Sequence, residues 1–334
     1  ELNITENTQP AILTTSIAIL SILKERGIIA DITAGLSLGE YSALVASEAI
    51  DFDTALKLVK KRGHIMQEAV PLGIGAMAAV IGLGENKIKL ILNSISDAGT
   101  VEIANYNTPN QIVIGGEKDA VNLAQVKLTE AGARKVIPLK VSGPFHTSML
   151  NNASKKLGEY LKDIKFNEPK LKVITNVTGD FITDKNEINS LLEKQVKSSV
   201  KWSKTIEKML EEGIDTFIEI GPSKTLSSFV KEISRNKKAN LNIFNVEDLK
   251  SLALSYGVVK SREFRKKLNA LITKYESDEL TAIRQALIKK CQNGDTQAIK
   301  LYADYFKPET VTTVDDGLIE ALEGAGKEAF KDEI

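Results

Sequence analysis

The chain has 334 residues, is 43% hydrophobic and balances 44 basic against 44 acidic side chains. That excludes global disorder and removes the simple electrostatic case for a nucleic-acid binder. One cysteine, Cys291, and two histidines, His64 and His146, exclude a disulfide framework, fit a reducing cytoplasmic compartment and starve a Cys/His zinc site of ligands. The apolar run 11–23 is broken by Thr14, Thr15, Ser16 and Ser21, too short and too polar for a membrane span. Glu1 without a basic stretch behind it does not open a signal peptide.

In chain order, a helix is expected over Gln9–Arg26, with Thr8 as N-cap, Pro10 in the first turn and Gly27 as the stop. A strand over Ile28–Thr33 then meets Gly35-Leu36-Ser37-Leu38-Gly39, followed by helices over Glu40–Ala49 and Asp53–Ala69. The texture changes between residues 71 and 142. Strand Ala76–Ile81, helix Glu85–Ser96, strands Val101–Asn105 and Gln111–Ile114, helix Lys118–Ala131 and strand Lys135–Leu139 follow in the order βαββαβ. That order is the pattern of a ferredoxin-like unit inserted into a larger α/β domain. The larger domain resumes with helix Thr147–Ile164, strand Val173–Thr175, helix Ser203–Glu212 and strand Thr216–Ile220. Residues 251–334 show helical patterns only, at Ser261–Tyr275, Asp278–Cys291 and Thr296–Phe306. Nine basic against four acidic residues fall in 260–290, and three against nine in 304–334. The expected architecture is an α/β core from 1–70 and 143–250, the βαββαβ subdomain at 71–142, and a helical appendage at 251–334.

The sharpest chemical signal is Ser37 between two glycines at a strand-to-helix junction. Such a turn projects the hydroxyl from the sheet edge, the following amide, that of Leu38, can face a developing oxyanion, and the helix N-terminus favours negative charge. The bland alternative is a tight turn in which Ser37 caps the helix. A nucleophilic serine needs a base. His64 lies in Lys60-Lys61-Arg62-Gly63-His64, on a basic helix face where a solvated histidine is the ordinary reading. His146 follows Ser142-Gly143-Pro144-Phe145 in a loop at a strand end, the usual location of reactive side chains in open sheets. By elimination His146 is the better base, the alternative being a helix-start residue without a role. Arg62 has the chemistry to hold a carboxylate, although a Lys-Lys-Arg run ordinarily faces solvent. Neither Gly73-Ile74-Gly75 nor Gly82-Leu83-Gly84 makes a dinucleotide fingerprint, and no phosphate-cradling loop is present in the sequence.

Together these residues resemble a known family. The stretches 8–13, 35–44, 62–69, 75–80, 141–147, 219–222 and 245–248 closely resemble the malonyl-CoA:acyl-carrier-protein transacylases of type II fatty-acid synthesis, in the family's order over about residues 7–250. The resemblance implies an α/β-hydrolase-like core with a parallel sheet and an inserted ferredoxin-like subdomain. It implies Ser37 as nucleophile, His146 as base and Arg62 as the anchor of the malonyl carboxylate. Gln195 is implied to orient the histidine through its backbone carbonyl, and Leu38 to supply an oxyanion N–H. Gln9 and Asn105 match polar positions lining the site, and Phe145 matches the malonyl-selective form. Malonyl-CoA and acyl carrier protein are the implied partners, with Lys60, Lys61 and Lys140 as candidate docking residues and no metal or redox cofactor.

Three departures accompany the likeness. Leu36 stands where the family usually has histidine. Against the family, the chain starts after the first strand and its Phe-Pro-Gly-Gln-Gly stretch, which carries a second oxyanion donor. Residues 251–334 have no counterpart. The rival readings are a serine esterase or thioesterase on the same Ser–His pair, and an inactive truncated chain whose C-terminal helices bind a partner or DNA. An esterase has little use for Arg62.

Overall fold

A computed structural model describes residues 4–251, apart from 26, 72, 140, 142, 238–240 and 248–250. The helical patterns expected within 252–334, and Lys140, lie outside the described residues. The described chain is an α/β structure of nine α-helices and eight strands.

The first helix, α1 (Thr5–Glu25), starts four residues earlier than the capping pattern predicts. Thr8 is inside it, its hydroxyl donating to the Ile4 carbonyl, and Pro10 lies beyond the first turn. A proline there forfeits one helical hydrogen bond, and packing against α3 (Phe52–Glu68) overrides that loss. Gly63 permits the approach, because a Cβ on it would press on the Glu6 and Thr5 backbone. The contact carries Gln9 of α1 to Arg62 of α3. Asp51 caps α3 by accepting from the Thr54 amide at 2.9 Å, as short polar side chains do at helix starts.

The expected strand over Ile28–Thr33 shrinks to β1 (Ile32–Thr33), paired in parallel with β6 (Lys172–Val173). Ile29 is 78% exposed and has no partner strand; an apolar run without a neighbour to pair with does not make a strand. From β1 the chain turns through Gly35–Gly39 into α2 (Gly39–Ala46).

Residues 75–138 hold a four-stranded antiparallel sheet: β2 (Gly75–Ile81), β3 (Val101–Thr108), β4 (Gln111–Glu117) and β5 (Lys135–Pro138), in spatial order β3-β4-β2-β5. Helices α4 (Glu85–Ser94) and α5 (Lys118–Glu130) bury Ile88, Leu92, Val121, Ala124 and Leu128 against Ala78, Val80 and Ile114 of the sheet. The chain order is βαββαβ, as the texture of the sequence predicts. Strands β3 and β4 run longer than expected, because the register continues through Tyr106↔Ile112 and Val101↔Gly116.

The helix expected over Thr147–Ile164 opens as a single 3₁₀ turn at 148–150 and is α-helical only as α6 (Asn151–Leu161). The Thr147 hydroxyl donates to the Pro144 carbonyl, holding the preceding loop in a turn. Three elements have no counterpart in the sequence reading: α7 (Ile188–Gln195), α9 (Thr225–Lys237) and β8 (Asn242–Val246). Strand β8 pairs in parallel with β7 (Thr216–Ile220), and α8 (Trp202–Glu211) packs beside α9. The largest core gathers Leu13, Tyr41, Leu44, Leu58, Val59 and Leu157 from α1, α2, α3 and α6. Among the described residues no helix is long and apolar enough to cross a membrane.

Candidate active site

Ser37 sits between β1 and α2 with φ 54°, in the left-handed region that non-glycine residues rarely enter. Gly35 makes the turn tight: a Cβ on it would overlap the backbone of Gly39. Asn176 braces the same turn. Its Oδ1 accepts from the Ser37 amide at 2.6 Å, and its Nδ2 donates to the Gly35 carbonyl at 2.7 Å. The Leu38 amide, at the mouth of α2, makes no hydrogen bond among the described residues. It lies at the N-terminal end of a helix, where negative charge is favoured.

His146 is 5% exposed and also has positive φ, 62°. Two strained residues thus face one another, a conformation that persists only where its surroundings enforce it. The His146 Nε2 lies 2.8 Å from Ser37 Oγ, and Nδ1 lies 2.8 Å from the Gln195 backbone carbonyl. A carbonyl oxygen can only accept, which assigns the proton to Nδ1 and leaves Nε2 free to accept the Ser37 hydroxyl proton. Burial, reinforced by the positive charge of Arg62, holds the imidazole down to about 4. It is therefore neutral, and a competent proton acceptor, through the whole physiological range.

Arg62 is 1% exposed, contrary to the solvent-facing expectation for its Lys-Lys-Arg run. The reason is helical phase: Ala55, Leu58, Val59 and Arg62 share the inward stripe of α3, while Lys57 and Lys61 flank a depression with Glu6 and His64. Nη1 donates to Gln9 Oε1 at 2.6 Å, and Nη2 donates to Ser37 Oγ at 3.0 Å and to Gln195 Oε1 at 2.9 Å. The guanidinium carbon stands 5.3 Å from the Tyr41 ring centroid. Among the described residues no carboxylate lies within ion-pair distance of it, and Nε has no partner. Burial lowers its pKa, yet arginine keeps its proton in proteins. The site therefore holds a desolvated cation whose hydrogen-bond partners are neutral groups, with the Glu40 carboxyl acting on it from behind Gln195; such a cation is costly without an anion in direct contact.

The remaining expected residues fall as follows. Gln195, at the end of α7, faces the site with both its backbone carbonyl and its amide. Gln9 holds Arg62 and approaches Met66 Sδ. Asn105 is buried on β3 at the bridge to Val200, and its side chain is not hydrogen-bonded to Ser37, His146 or Arg62. Phe145 packs between the main core and the Met77–Ala79–Ala104–Val113 cluster. His64 is set apart on the surface, 3.4 Å from carboxylate oxygens of Glu6 and Glu68. A cleft of about 520 Å³ reaches His146 and is bordered by Glu102, Tyr106, Lys89, Lys197 and Lys201. Sequence reasoning missed Glu40 and Asn176. The first follows the Gly-Leu-Ser-Leu-Gly turn directly, so its place at a helix start is readable in the sequence, while its burial and its partners are not. The second is an ordinary Asn in a loop, legible only in three dimensions. No group of three His, Cys, Asp or Glu side chains suited to a metal ion occurs among the described residues.

A serine hydrogen-bonded to a buried histidine, beside a guanidinium with no ion-pair partner among the described residues, is the equipment of an acyl-transfer enzyme, and residues 1–255 match the acyl transferase domain family. The malonyl CoA-acyl carrier protein transacylase of Bacillus subtilis (strain 168) is 47% identical over 239 residues, 71% of this chain and 75% of that protein. The crystal structure of the malonyl CoA-acyl carrier protein transacylase from Clostridium perfringens superposes with a TM-score of 0.74 at 47% identity, covering 83% of each chain. A malonyl-transacylase in complex with a type II PKS acyl-carrier protein matches at TM-score 0.73 and 39% identity, over 76% of this chain and 82% of that one. The chain belongs to the malonyl CoA-acyl carrier protein transacylase family.

Proposed function

We propose that the chain transfers a malonyl group from coenzyme A to the phosphopantetheine thiol of acyl carrier protein, supplying fatty-acid synthesis, by way of a malonyl ester on Ser37. The observation that carries this is the buried Arg62 guanidinium, 3.0 Å from the serine oxygen and without a carboxylate of its own. Malonate brings the missing anion at the same end of the molecule as its reacting carbonyl. An acetyl group would leave the cation unpaired.

The first half-reaction begins with His146 Nε2 taking the Ser37 hydroxyl proton as the oxygen attacks the thioester carbon. The developing oxyanion is received by the Leu38 N–H, and the imidazolium is steadied by the Gln195 carbonyl on Nδ1. Collapse breaks the carbon–sulfur bond, and His146 returns its proton to the departing coenzyme A thiolate. In the second half the carrier thiol gives its proton to His146 and attacks the ester. Ser37 then recovers the proton as it leaves. No metal or redox cofactor is needed.

In this reading residues 1–70 and 143–250 form an α/β-hydrolase-like core, and 71–142 a ferredoxin-like subdomain, supported by the βαββαβ order and the β3-β4-β2-β5 arrangement. The cytoplasm is the expected compartment, in line with a single cysteine.

The test is the intact mass of the protein after brief exposure to malonyl-CoA. A single malonyl adduct, absent in Ser37→Ala, is expected. A folded protein that gains no adduct would overturn the proposal.

A further inference from the structure

The mechanism leaves a buried carboxyl of the site unused. Glu40, in the first turn of α2, is 1% exposed, and burial pushes its carboxyl above the ordinary range. A single oxygen, Oε2, accepts two hydrogen bonds, from Gln195 Nε2 at 2.7 Å and from the Asn176 amide at 3.0 Å. The Thr175 side chain also interacts with the carboxyl.

Both donors belong to residues in contact with the reacting groups. The Asn176 side chain braces the Ser37 turn from the Ser37 amide and the Gly35 carbonyl. The Gln195 amide is held on both faces: Nε2 donates to Glu40 and, at 3.0 Å, to the Ser37 carbonyl, while Oε1 accepts from Arg62 at 2.9 Å. An amide is nearly symmetric in shape, so its neighbours' donors and acceptors decide which way it points. With Nε2 committed to Glu40, the oxygen faces the guanidinium. Without that acceptor Nε2 keeps only the Ser37 carbonyl, the amide is held less firmly, and the contact that aims Arg62 at Ser37 is loosened.

We propose that Glu40 is a positioning residue for acyl-group selection: its buried carboxylate oxygen fixes the amide of Gln195, which fixes the guanidinium of Arg62 beside Ser37. The inference rests on the reading of Arg62 as the anchor of the malonyl carboxylate. Glu40 touches neither substrate nor the reacting atoms, and its influence runs through Gln195 and Asn176.

The experiment compares kcat/KM for malonyl-CoA and for acetyl-CoA as donors to a carrier-protein thiol. Wild type, Glu40→Leu and Glu40→Gln are measured, each checked for folding by circular dichroism. Leucine fills the space without an acceptor, and the malonyl-to-acetyl preference is expected to fall ~10-fold or more, chiefly through a higher KM for malonyl-CoA, as befits a lost hydrogen-bond arrangement around a charged group. Glutamine presents an amide oxygen able to take both bonds, and it should restore most of the preference. Equal losses for the two donors in Glu40→Leu would reduce the residue to a structural support and overturn the proposal. Should Glu40→Leu fail to fold, Gln195→Met, similar in length and without an amide, takes its place. A lost preference then upholds the coupling, and an intact one overturns it. A wild-type chain with no malonyl preference defeats the Arg62 reading itself, whereas a wild-type preference that survives in the variants defeats this inference alone.

Discussion

The guanidinium of Arg62 donates to the hydroxyl oxygen of Ser37 at 3.0 Å, on the side of that oxygen not taken by His146. A nucleophile in contact with a buried cation has a lowered cost of becoming an alkoxide, and any acyl group it accepts lands beside a positive charge. In the proposed mechanism one residue therefore serves both the chemistry and the choice of substrate. Replacing Arg62 by alanine should cut malonyl transfer by ~10²-fold, the scale of a lost pair of charge-assisted hydrogen bonds. Acetyl transfer should fall far less. Steady-state rates with the two thioesters check this, and equal losses would remove Arg62 from substrate selection.

The bracket formed by Asn176 predicts a separate effect on the nucleophile. Asn176→Ala leaves the Ser37 amide and the Gly35 carbonyl without their partner, at a cost of about 1–3 kcal/mol for each buried group left unpaired. The rate of Ser37 malonylation, followed by quenched-flow mass spectrometry, is expected to drop at least tenfold. An unchanged rate would mean that β1 and α2 alone hold the turn.

Gly35→Ala tests the tightness of the same turn from the steric side. The added methyl would overlap the Gly39 backbone, and relief requires the strand-to-helix junction to open, at about 1–3 kcal/mol or more. Thermal unfolding should shift downwards and adduct formation should fall with it. A variant with wild-type melting and full acylation would show that the junction has slack.

The pH dependence follows from His146. Its pKa stands at about 4 in the folded chain against 6.5 for an ordinary histidine. The unfolded chain therefore takes up this proton first as pH falls. Stability from this group is complete above about pH 6.5 and declines as pH drops towards 4, by roughly 3 kcal/mol at most. The acid limb of kcat/KM for malonyl-CoA should fall near pH 4–5 rather than near 6.5, provided the chain is still folded there. A midpoint near 6.5 in a pH–rate profile would mean that the imidazole is more hydrated than its surroundings imply.

Much of this was legible in the residues. The glycine-flanked Ser37 predicted a strand-to-helix turn, and the βαββαβ texture of 71–142 predicted the four-stranded sheet with its two helices. What was hidden has physical reasons. A capping pattern at Thr8 and Pro10 is a local preference, and α1 begins earlier because its tertiary contact at Gly63 outweighs it. Strand β8 and helix α9 have weak local signals and are defined by pairing and packing with β7 and α8. Arg62 illustrates the limit for charge: a Lys-Lys-Arg run looks solvated until helical phase turns its third member inward. Glu40 and Asn176 act through bonds spanning more than a hundred residues, and no spacing rule reaches that far.

A pair of backbone hydrogen bonds joins the four-stranded sheet to the site. Tyr106 of β3 donates its amide to the Val200 carbonyl at 2.8 Å, and the Val200 amide returns a bond to the Ala104 carbonyl at 2.9 Å. Val200 lies five residues after Gln195, which backs His146. The segment from 195 to 200 is in effect an extra edge of that sheet, stitched to β3 on one side and to the histidine on the other. For protein engineering this sets where a seam can be cut. A chimera that imports residues 71–142 from a relative should also import 195–202, since a graft confined to 71–142 would leave the histidine's support registered to a strand from another parent.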